Sequence, residues 1–312
     1  MSYRSIDLYS WKRILSAAAV TVIYLTVSYF LIGFKTDQLV LAGIFNVLYF
    51  ASTVTRKFIL GFSIFIVYWI IFDYMKAFPN YKFGQVHIQD LYNAEKSVFG
   101  MNGSGKRITP NEYWLLHHNS FLDVLAGFFY LCWIPVPLAF AGYLFFKDKN
   151  LFLHFSLTFV LVNMIGFIIY YAYPAAPPWY IQLHGNNFIA GTPGNTAGLA
   201  RFDNFFGVTI FQNLYAKSSN VFAAMPSLHS SYPLVVLYFG IKRRVGAVVN
   251  FLFIAVMLGI WFAAVYTSHH YLLDVMAGVL SAITGIIFLE KIMMKFVLYN
   301  RFLKFYLQKI TY

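Results

Sequence analysis

Two histidines and one aspartate have the residue types and the spacing that nucleophilic chemistry needs. His270 and Asp274 are four residues apart, so we expect them on one face of a helix. The carboxylate can then accept a hydrogen bond from one imidazole nitrogen and leave the other free as a nucleophile or base. His229 follows Pro226 and Ser227, which are typical of a helix start. These residues predict covalent catalysis with a separate general acid and base.

Both histidine patterns also have a plainer interpretation. His270 and Asp274 are compatible with a salt bridge at the start of a helix, because any pair at this spacing can interact. His229, taken alone, is compatible with a histidine that faces water at a membrane interface. The catalytic interpretation therefore depends on whether other elements bring these residues to one place.

The composition indicates a membrane protein. Of the 312 residues, 60% are hydrophobic and only 11% are charged, and the mean hydropathy is +0.65. These values exclude a soluble globular protein, a disordered chain and a coiled coil. The single cysteine, Cys132, excludes a disulfide framework. The net charge of +12 favours contact with anionic lipid over contact with nucleic acid, since the chain is so apolar.

The hydropathy pattern predicts an all-α, polytopic membrane helical bundle with about eight transmembrane helices. Two N-terminal helices lie in residues 1–57, a six-helix catalytic core occupies 58–298, and 299–312 form a basic cytoplasmic tail. The predicted spans are residues 14–34, 39–55, 58–75, 121–146, 151–173, 227–241, 245–268 and 270–296.

The distribution of lysine and arginine predicts the orientation of these helices. With both termini in the cytoplasm, 15 of the 23 lysines and arginines lie at the cytoplasmic ends of the spans and 8 lie outside. The outside residues are spread over long segments, whereas the inside loops are very short, which favours this orientation. Two long segments, 76–120 and 174–226, then lie on the non-cytoplasmic face together with His229 and His270. Connections of this length are usually functional. The short terminal segments favour a bacterial inner membrane over a Golgi membrane.

Several motifs resemble one enzyme family. Pro226-Ser227-Leu228-His229 and the later His270-x-x-x-Asp274 resemble two motifs of the type-2 phosphatidic acid phosphatase superfamily. Four further stretches are similar to the inositol phosphorylceramide synthases within it, at residues 110–113, 130–137, 174–180 and 197–203. The resemblance covers the chain from about Asp73 to about Asp274.

The resemblance implies a mechanism, substrates and a fold with a six-helix phosphatidic-acid-phosphatase-like core. His270 would attack the phosphorus of phosphatidylinositol and form a phospho-histidine, and Asp274 would orient it. His229 would protonate the departing diacylglycerol and then deprotonate the primary hydroxyl of ceramide or dihydroceramide. The product would be inositol phosphorylceramide. This mechanism needs no cofactor.

The sequence departs from the superfamily pattern where cations are expected. Ala264 stands where the superfamily has an arginine six residues before the nucleophilic histidine, and residues 174–180 contain no lysine or arginine. Fewer cations suit a phosphodiester better than a phosphate monoester. Arg201 and Lys217 remain as candidates for binding the phosphate, although either is compatible with simple contact to lipid head groups.

The other candidates for substrate binding are Ser227, Asp123, Trp179 and Tyr180. Ser227 can cap its helix or bond locally, and Asp123 can bond inositol hydroxyls or serve as a carboxylate at a helix start. Trp179 and Tyr180 can stack on a sugar ring, but an aromatic belt at the interface explains them equally simply. Asp73 and Lys76 are expected to form a local pair, and His269 is expected to point away from the site.

No metal site is predicted. His117, His118 and His184 lack the spacing and the carboxylate or cysteine partners of a zinc site. Two alternatives to the synthase remain open: a lipid phosphate phosphatase, in which water replaces ceramide, and a membrane transporter or scaffold without a nucleophile. Substitution of His270 separates the last from the two enzymes.

Overall fold

A computed structural model describes residues 8–103, 105–217 and 220–311, and most of this part is helical. Its α-helices are α1 (Trp11–Ile32), α2 (Thr36–Ala51), α3 (Thr53–Tyr74), α4 (Gln89–Phe99), α5 (Pro110–Leu116), α6 (Ser120–Leu131), α7 (Pro135–Lys147), α8 (Lys149–Ala172), α9 (Pro178–His184), α10 (Ala200–Phe206), α11 (Ile210–Ala216), α12 (Leu228–Arg243), α13 (Ala247–Tyr266), α14 (Leu272–Ile287) and α15 (Val297–Thr311). One short antiparallel hairpin pairs β1 (Met101–Gly103) with β2 (Lys106–Ile108).

The predicted fold class, a helical membrane bundle, is confirmed. Within the described ranges, six helical segments are long and apolar enough to cross a membrane: Trp11–Ile32, Thr53–Ala77, Ser120–Lys147, Lys149–Ala172, Ala247–Tyr266 and Leu272–Lys295. The predicted spans at 39–55 and 227–241 correspond to α2 and α12, which have 16 residues each. Both are shorter than a typical span, so the number of crossings stays a prediction.

The centre of the bundle is formed by α8, α12, α13 and α14. Helix α12 packs against the other three, and aromatic side chains such as Phe155, Phe159 and Phe239 fill the space between them. Small residues allow close contact, because a Cβ on Gly278 of α14 would lie 2.1 Å from the carbonyl oxygen of Ser227. This contact holds the start of α12 against the start of α14.

The predicted span at 121–146 is broken into α6 and α7 at residues 132–134. Pro135 and Pro137 stand in the first turn of α7 and cause the break, since proline has no N–H to donate to the preceding turn. The break leaves Tyr130 and Trp133 in contact with His229 at the start of α12. The break between α6 and α7 thus places two aromatic side chains at the site.

The C-terminal residues predicted as a basic tail form helix α15, which packs on the bundle. Leu303 and Ile310 are buried, and the Tyr306 hydroxyl donates a hydrogen bond to the Leu60 carbonyl oxygen at 2.6 Å. Apolar side chains on the outer surface of the helices are exposed, as in Phe30 and Val248, which suits contact with lipid. Segment 76–120 contributes α4, the hairpin and α5, and segment 174–226 contributes α9, α10 and α11.

Candidate active site

The imidazole rings of His229 and His270 meet at one end of the bundle. His229 Nδ1 lies 3.3 Å from His270 Nε2, and the ring centroids are 5.4 Å apart. His229 is the second residue of α12, as expected from Pro226 and Ser227. His270 precedes α14 by two residues, because that helix begins at Leu272. The expectation that His270 and Asp274 share a helical face is therefore wrong in detail.

The hydrogen bonds of His270 define which nitrogen carries its proton. Nδ1 lies 2.9 Å from the carbonyl oxygen of Ala224, and a carbonyl can only accept. Nδ1 is therefore protonated in the neutral ring and Nε2, which faces His229, has a free lone pair. Asp274 Oδ2 lies 3.7 Å from the same Nδ1, which is longer than a hydrogen bond. The hydrogen-bond partner that orients the His270 ring is therefore the backbone carbonyl of Ala224 and not Asp274.

Asp274 is fully buried and joins the two helix starts. Its Oδ2 accepts a hydrogen bond from the backbone N–H of Tyr271, and its backbone carbonyl accepts one from the N–H of Ser227. The same residue therefore touches the segment that carries His270 and the segment that carries His229. Its position depends on both helices, and so does the spacing of the two rings.

Two side chains from distant segments hold the chain around His270. Asn111 Nδ2 donates to the carbonyl oxygens of Val265 and His270, at 2.8 and 2.9 Å. Glu95 accepts from the N–H groups of Leu272 and Leu273, at 3.0 and 3.1 Å, and so caps the first turn of α14. Burial raises the pKa of Glu95, and its hydrogen bonds from the backbone of Leu272 and Leu273 oppose that rise.

Aromatic side chains surround His229. The Tyr130 hydroxyl lies 2.8 Å from His229 Nδ1, and the Tyr215 hydroxyl donates to Tyr130 at 3.4 Å. The Trp133 ring packs against the imidazole, with centroids 4.3 Å apart. Tyr130 lies in a stretch that the sequence singled out, but no role was assigned to it there. The structure places it as the hydroxyl partner of His229.

His269 lies beside the pair rather than away from it. It lines the same cavity, its ring stacks on Tyr215 with centroids 4.5 Å apart, and its Nε2 lies 3.0 Å from the Thr196 carbonyl oxygen. The expectation that it points away from the site is wrong, because the residues before α14 form a turn. Burial, together with repulsion from His270, lowers the pKa of His269 to about 3. It is therefore neutral at ordinary pH.

Both histidines of the pair open onto a cavity of about 800 Å³. Tyr130, Trp133 and Trp179 line it near the histidines, and Trp69 and Phe72 of α3 line it as well. The volume is within the range of roughly 300–1,000 Å³ that ligand sites occupy. The cavity is also bounded by Tyr24 of α1 and Leu41 of α2, so the N-terminal helices contribute to its wall.

The predicted Arg201 and Asp123 contact each other. Arg201 Nε lies 2.5 Å from Asp123 Oδ1, the guanidinium covers the Tyr266 ring, and the Tyr266 hydroxyl also donates to Asp123. Neither residue is part of the cavity wall next to His229 and His270. One guanidinium nitrogen, Nη2, is buried without a hydrogen-bond partner among the described residues. The pair reaches the segment before His270 through Tyr266, and the nearby Gly198 donates its N–H to the Thr267 carbonyl oxygen.

The remaining predicted residues occupy different positions. Lys217 lines the cavity and pairs with Asp37, Nζ to Oδ2 2.9 Å, and Trp179 is also in the wall. Tyr180 is buried, and its hydroxyl bonds to the backbone of Asn187 and Ile189. Ser227 is buried and makes no capping bond, although it accepts from the Ser230 hydroxyl. Of this group, Lys217 and Trp179 are placed to meet a ligand.

No cluster of three or more metal-ligating side chains occurs within the part of the chain that the structure describes. The two residues that the sequence did not single out and that hold His270 are Glu95 and Asn111. Glu95 has no local signal, since its partner Leu272 lies 177 residues further along the chain. Asn111 lies in the stretch 110–113, where the resemblance marks a motif without indicating a role.

Comparison with known proteins places the chain in a family. The PAP2 superfamily profile matches residues 107–288. A phosphoinositol dihydroceramide synthase of Bacteroides thetaiotaomicron is 42% identical over 96% of this chain and 99% of its own length. The inositol phosphorylceramide synthase catalytic subunit AUR1 of Saccharomyces cerevisiae is 31% identical over 72% of this chain and 54% of its own. An inositol phosphorylceramide synthase of Candida albicans is 32% identical over 52% and 35%, respectively.

No solved structure matches this chain. The bacterial relative has almost the same length as this chain, whereas the chain spans about half of the Saccharomyces protein. The matched profile includes both histidines and Asp274, and it leaves helices α1 to α4 outside. The similarity to the bacterial synthase extends over those helices as well. The chain is a membrane phosphotransferase that belongs to the inositol phosphorylceramide synthase family of the PAP2 superfamily.

Proposed function

We propose that this protein transfers phosphoinositol from phosphatidylinositol to the primary hydroxyl of ceramide or dihydroceramide through a phospho-histidine intermediate. The products are inositol phosphorylceramide and diacylglycerol. One observation carries the proposal: the lone pair of His270 Nε2 faces His229 at 3.3 Å, on the wall of a cavity that is large enough for a lipid head group. The names of the relatives supply the substrates, and the geometry supplies the roles.

The first displacement breaks the bond between phosphorus and the diacylglycerol oxygen. His270 Nε2 attacks the phosphorus, and its ring acquires positive charge as the P–N bond forms. Asp274, 3.7 Å from Nδ1, stabilises that charge. His229 gives a proton to the departing oxygen, so diacylglycerol leaves as a neutral alcohol. The phosphoryl group takes the place of the direct contact between the two imidazole rings.

The second displacement reverses these roles. His229, now neutral, takes the proton from the primary hydroxyl of ceramide, and the resulting oxygen attacks the phosphorus. The P–N bond breaks and its electron pair returns to His270. The first half-reaction exchanges a phosphodiester for a phosphoramidate, and the second restores a phosphodiester. The overall reaction therefore exchanges one phosphodiester for another, and it is driven by the concentrations of the lipids. The two alcohols react in turn at the same phosphorus, so the same two histidines act in both displacements.

The proposed setting is the non-cytoplasmic face of the membrane, with both termini in the cytoplasm. His229 lies at the first turn of α12, whereas Lys242 and Arg243 lie at the opposite end of the same helix. Basic residues mark the cytoplasmic ends of membrane helices, which supports this orientation. The division into two N-terminal helices at 1–57, a catalytic core at 58–298 and a C-terminal segment at 299–312 is part of the same proposal.

Purified protein with labelled phosphatidylinositol tests the proposed reaction. We expect labelled inositol phosphorylceramide when ceramide is present and no release of inositol phosphate when it is absent. His270→Ala should abolish transfer, and His117→Ala, which changes an exposed histidine, should not. Release of inositol phosphate without ceramide would indicate a phosphatase. Full transfer by a folded His270→Ala variant would contradict the covalent route.

A further inference from the structure

The active-site cavity has charged side chains that neither the two histidines nor the predicted mechanism uses. They come from the turn between α1 and α2, the end of α3 and the end of α11. These residues are Lys35, Asp37, Asp73, Lys76 and Lys217. Because they line the same cavity as His229 and His270, a lipid whose phosphorus lies at the histidines has its head group within the space that they border.

The lysines among these residues supply positive charge at a site where the sequence lacks the superfamily arginine. The superfamily arginine is replaced by Ala264, and Arg201 is engaged with Asp123 away from the cavity wall. Among the described residues, the cationic side chains other than histidine that line the cavity are Lys35, Lys76 and Lys217. Lys35 and Lys76 lie before residue 107, where the PAP2 match begins. Two of the three cavity lysines thus come from outside the matched region, and Lys217 lies within it.

The arrangement of charges suits a polyol rather than a bare phosphate. Lys76 Nζ lies 2.6 Å from Asp73 Oδ1, and about a quarter of each side chain is exposed, 25% and 21%. Such a pair presents an ammonium donor and a carboxylate acceptor side by side. Adjacent hydroxyls of a sugar alcohol both donate and accept, so they complement this pair. A choline head group has no hydroxyl, so it can neither donate to the carboxylate of Asp73 nor accept from the ammonium of Lys76.

Helix α1 holds this part of α3 in place. The hydroxyls of Ser28 and Tyr74 lie 2.8 Å apart, and Ser28 is fully buried between the helices. Tyr74 is the last residue of α3 and directly precedes Met75 and Lys76. Apolar side chains of α3, Trp69 and Phe72, continue the cavity wall from the charged pair. The cavity wall therefore has a polar part next to an apolar part, which matches the polar head group and the apolar chains of a phospholipid.

We propose that Asp73 and Lys76, with Lys35 and Asp37, form the subsite for the head group of the donor phospholipid. Its ligand is an anionic polyol phosphate, here phosphoinositol, and Trp69 and Phe72 contact the start of the diacylglycerol. The two N-terminal helices are then part of the substrate site and not an accessory to the catalytic core. This inference rests on the proposed function for the identity of the donor.

Binding measured without turnover tests the subsite. In the inactive His270→Ala background, we compare phosphatidylinositol and phosphatidylcholine, each in nanodiscs, for the parent variant and for added Lys76→Met or Asp73→Asn. Loss of one charged contact should lower the preference for phosphatidylinositol about tenfold. Lys82→Met is the matched control, because Lys82 is exposed on the same face and outside the cavity wall. It should leave the preference unchanged.

Steady-state kinetics in the active protein give the second arm. Lys76→Met should raise KM for phosphatidylinositol about tenfold and leave KM for ceramide unchanged. An unchanged preference in the binding assay would overturn the subsite even if the parent enzyme makes inositol phosphorylceramide. An equal rise of both KM values would also overturn it, since this indicates general damage. If the parent enzyme makes no product while Lys76→Met lowers the preference, the proposed function fails and the subsite stands.

Discussion

Tyr130 is the residue on which the orientation of His229 depends. Its hydroxyl is within 2.8 Å of His229 Nδ1 and also accepts from Tyr215, so it is held from both sides. The ring of Tyr130 is fully buried, and Trp133 packs on the other side of the imidazole. A general acid must present its proton at a defined place, and these contacts leave the imidazole little freedom. Tyr130 therefore acts as a positioning residue for His229.

Replacing Tyr130 with phenylalanine removes this hydroxyl and keeps the ring. We expect kcat to fall about tenfold, the equivalent of one lost hydrogen bond, with KM for both lipids nearly unchanged. The pH profile of kcat should shift, since His229 loses a partner. Tyr143→Phe, on the exposed surface of α7, is the matched control and should behave as the parent enzyme. An unaltered kcat and pH profile in Tyr130→Phe would show that the Tyr130 hydroxyl does not position His229.

The buried His269 predicts how stability responds to acid. Its pKa is about 3 in the folded protein, against an ordinary value of 6.5. Between these values the unfolded chain binds the proton and the folded protein does not, so stability falls as the pH drops from 6.5 towards 3. His269→Gln should lose less of its melting temperature between pH 7 and pH 4.5 than the parent protein. His117→Gln should lose as much of its melting temperature as the parent protein. Equal losses in the parent protein, His269→Gln and His117→Gln would refute the low pKa of His269.

At the scale of elements, the close approach of α14 to the start of α12 determines the site. Gly278 faces the Ser227 carbonyl oxygen, and Ser227 donates its N–H to the Asp274 carbonyl oxygen. Glu95 of α4 caps the first turn of α14 from another direction. The distance between the two histidines is therefore a property of two helix starts and of what caps them, and it is sensitive to small changes in packing.

A methyl group at Gly278 should disturb that packing. Its Cβ would lie 2.1 Å from the Ser227 carbonyl oxygen, so the two segments must separate, at a cost of about 1–3 kcal/mol. We expect Gly278→Ala to lower both the melting temperature and kcat. Gly142→Ala is the control, because nothing lies within 4 Å of the added Cβ on α7. Wild-type kcat in Gly278→Ala would show that the helix contact does not set the histidine spacing.

At the scale of the whole molecule, the bundle separates a basic end from the end that carries the site. Lys242 and Arg243 end α12, and the histidines lie at the start of α12 and α14. Segments 76–120 and 174–226 lie at the histidine end, where α4, α5 and the turn before α10 contact the residues around His270. The site and the Lys242–Arg243 pair lie at opposite ends of α12, as the proposed orientation in a membrane requires.

Cysteine labelling tests that orientation. In a Cys132→Ser background, we expect Lys82→Cys to react with a membrane-impermeant maleimide added to intact bacterial spheroplasts. Lys309→Cys of α15 should react only after the membrane is permeabilised. Both side chains are exposed in the structure, so accessibility depends on the side of the membrane. Reaction of Lys309→Cys in intact spheroplasts would reverse the topology.

Local patterns in the sequence predicted part of this structure. Hydropathy located the apolar helices, and Pro226 with Ser227 indicated the helix start that carries His229. The distribution of lysine and arginine over the predicted spans predicted that His229 and His270 reach the same end of the bundle. The break at Pro135 was missed, because the hydropathy of residues 121–146 is continuous across it.

What the sequence did not predict depends on distant contacts and on backbone atoms. The acceptor for His270 is the carbonyl oxygen of Ala224, and a carbonyl leaves no trace in residue type. Glu95 meets α14 from 177 positions away, and Arg201 meets Asp123 from 78. The contribution of α1 and α2 to the cavity wall likewise depends on packing between segments that are far apart in the sequence. Such contacts can be identified only from the folded structure.

Trapping the covalent intermediate is the most direct test of the central claim. Purified protein is mixed with phosphatidylinositol in the absence of ceramide, and peptides are analysed by mass spectrometry. We predict a phosphoinositol adduct on His270 that disappears when ceramide is added, with stoichiometric formation of inositol phosphorylceramide. A protein that turns over with ceramide but never carries an adduct, or that carries it on a residue other than His270, would contradict the account.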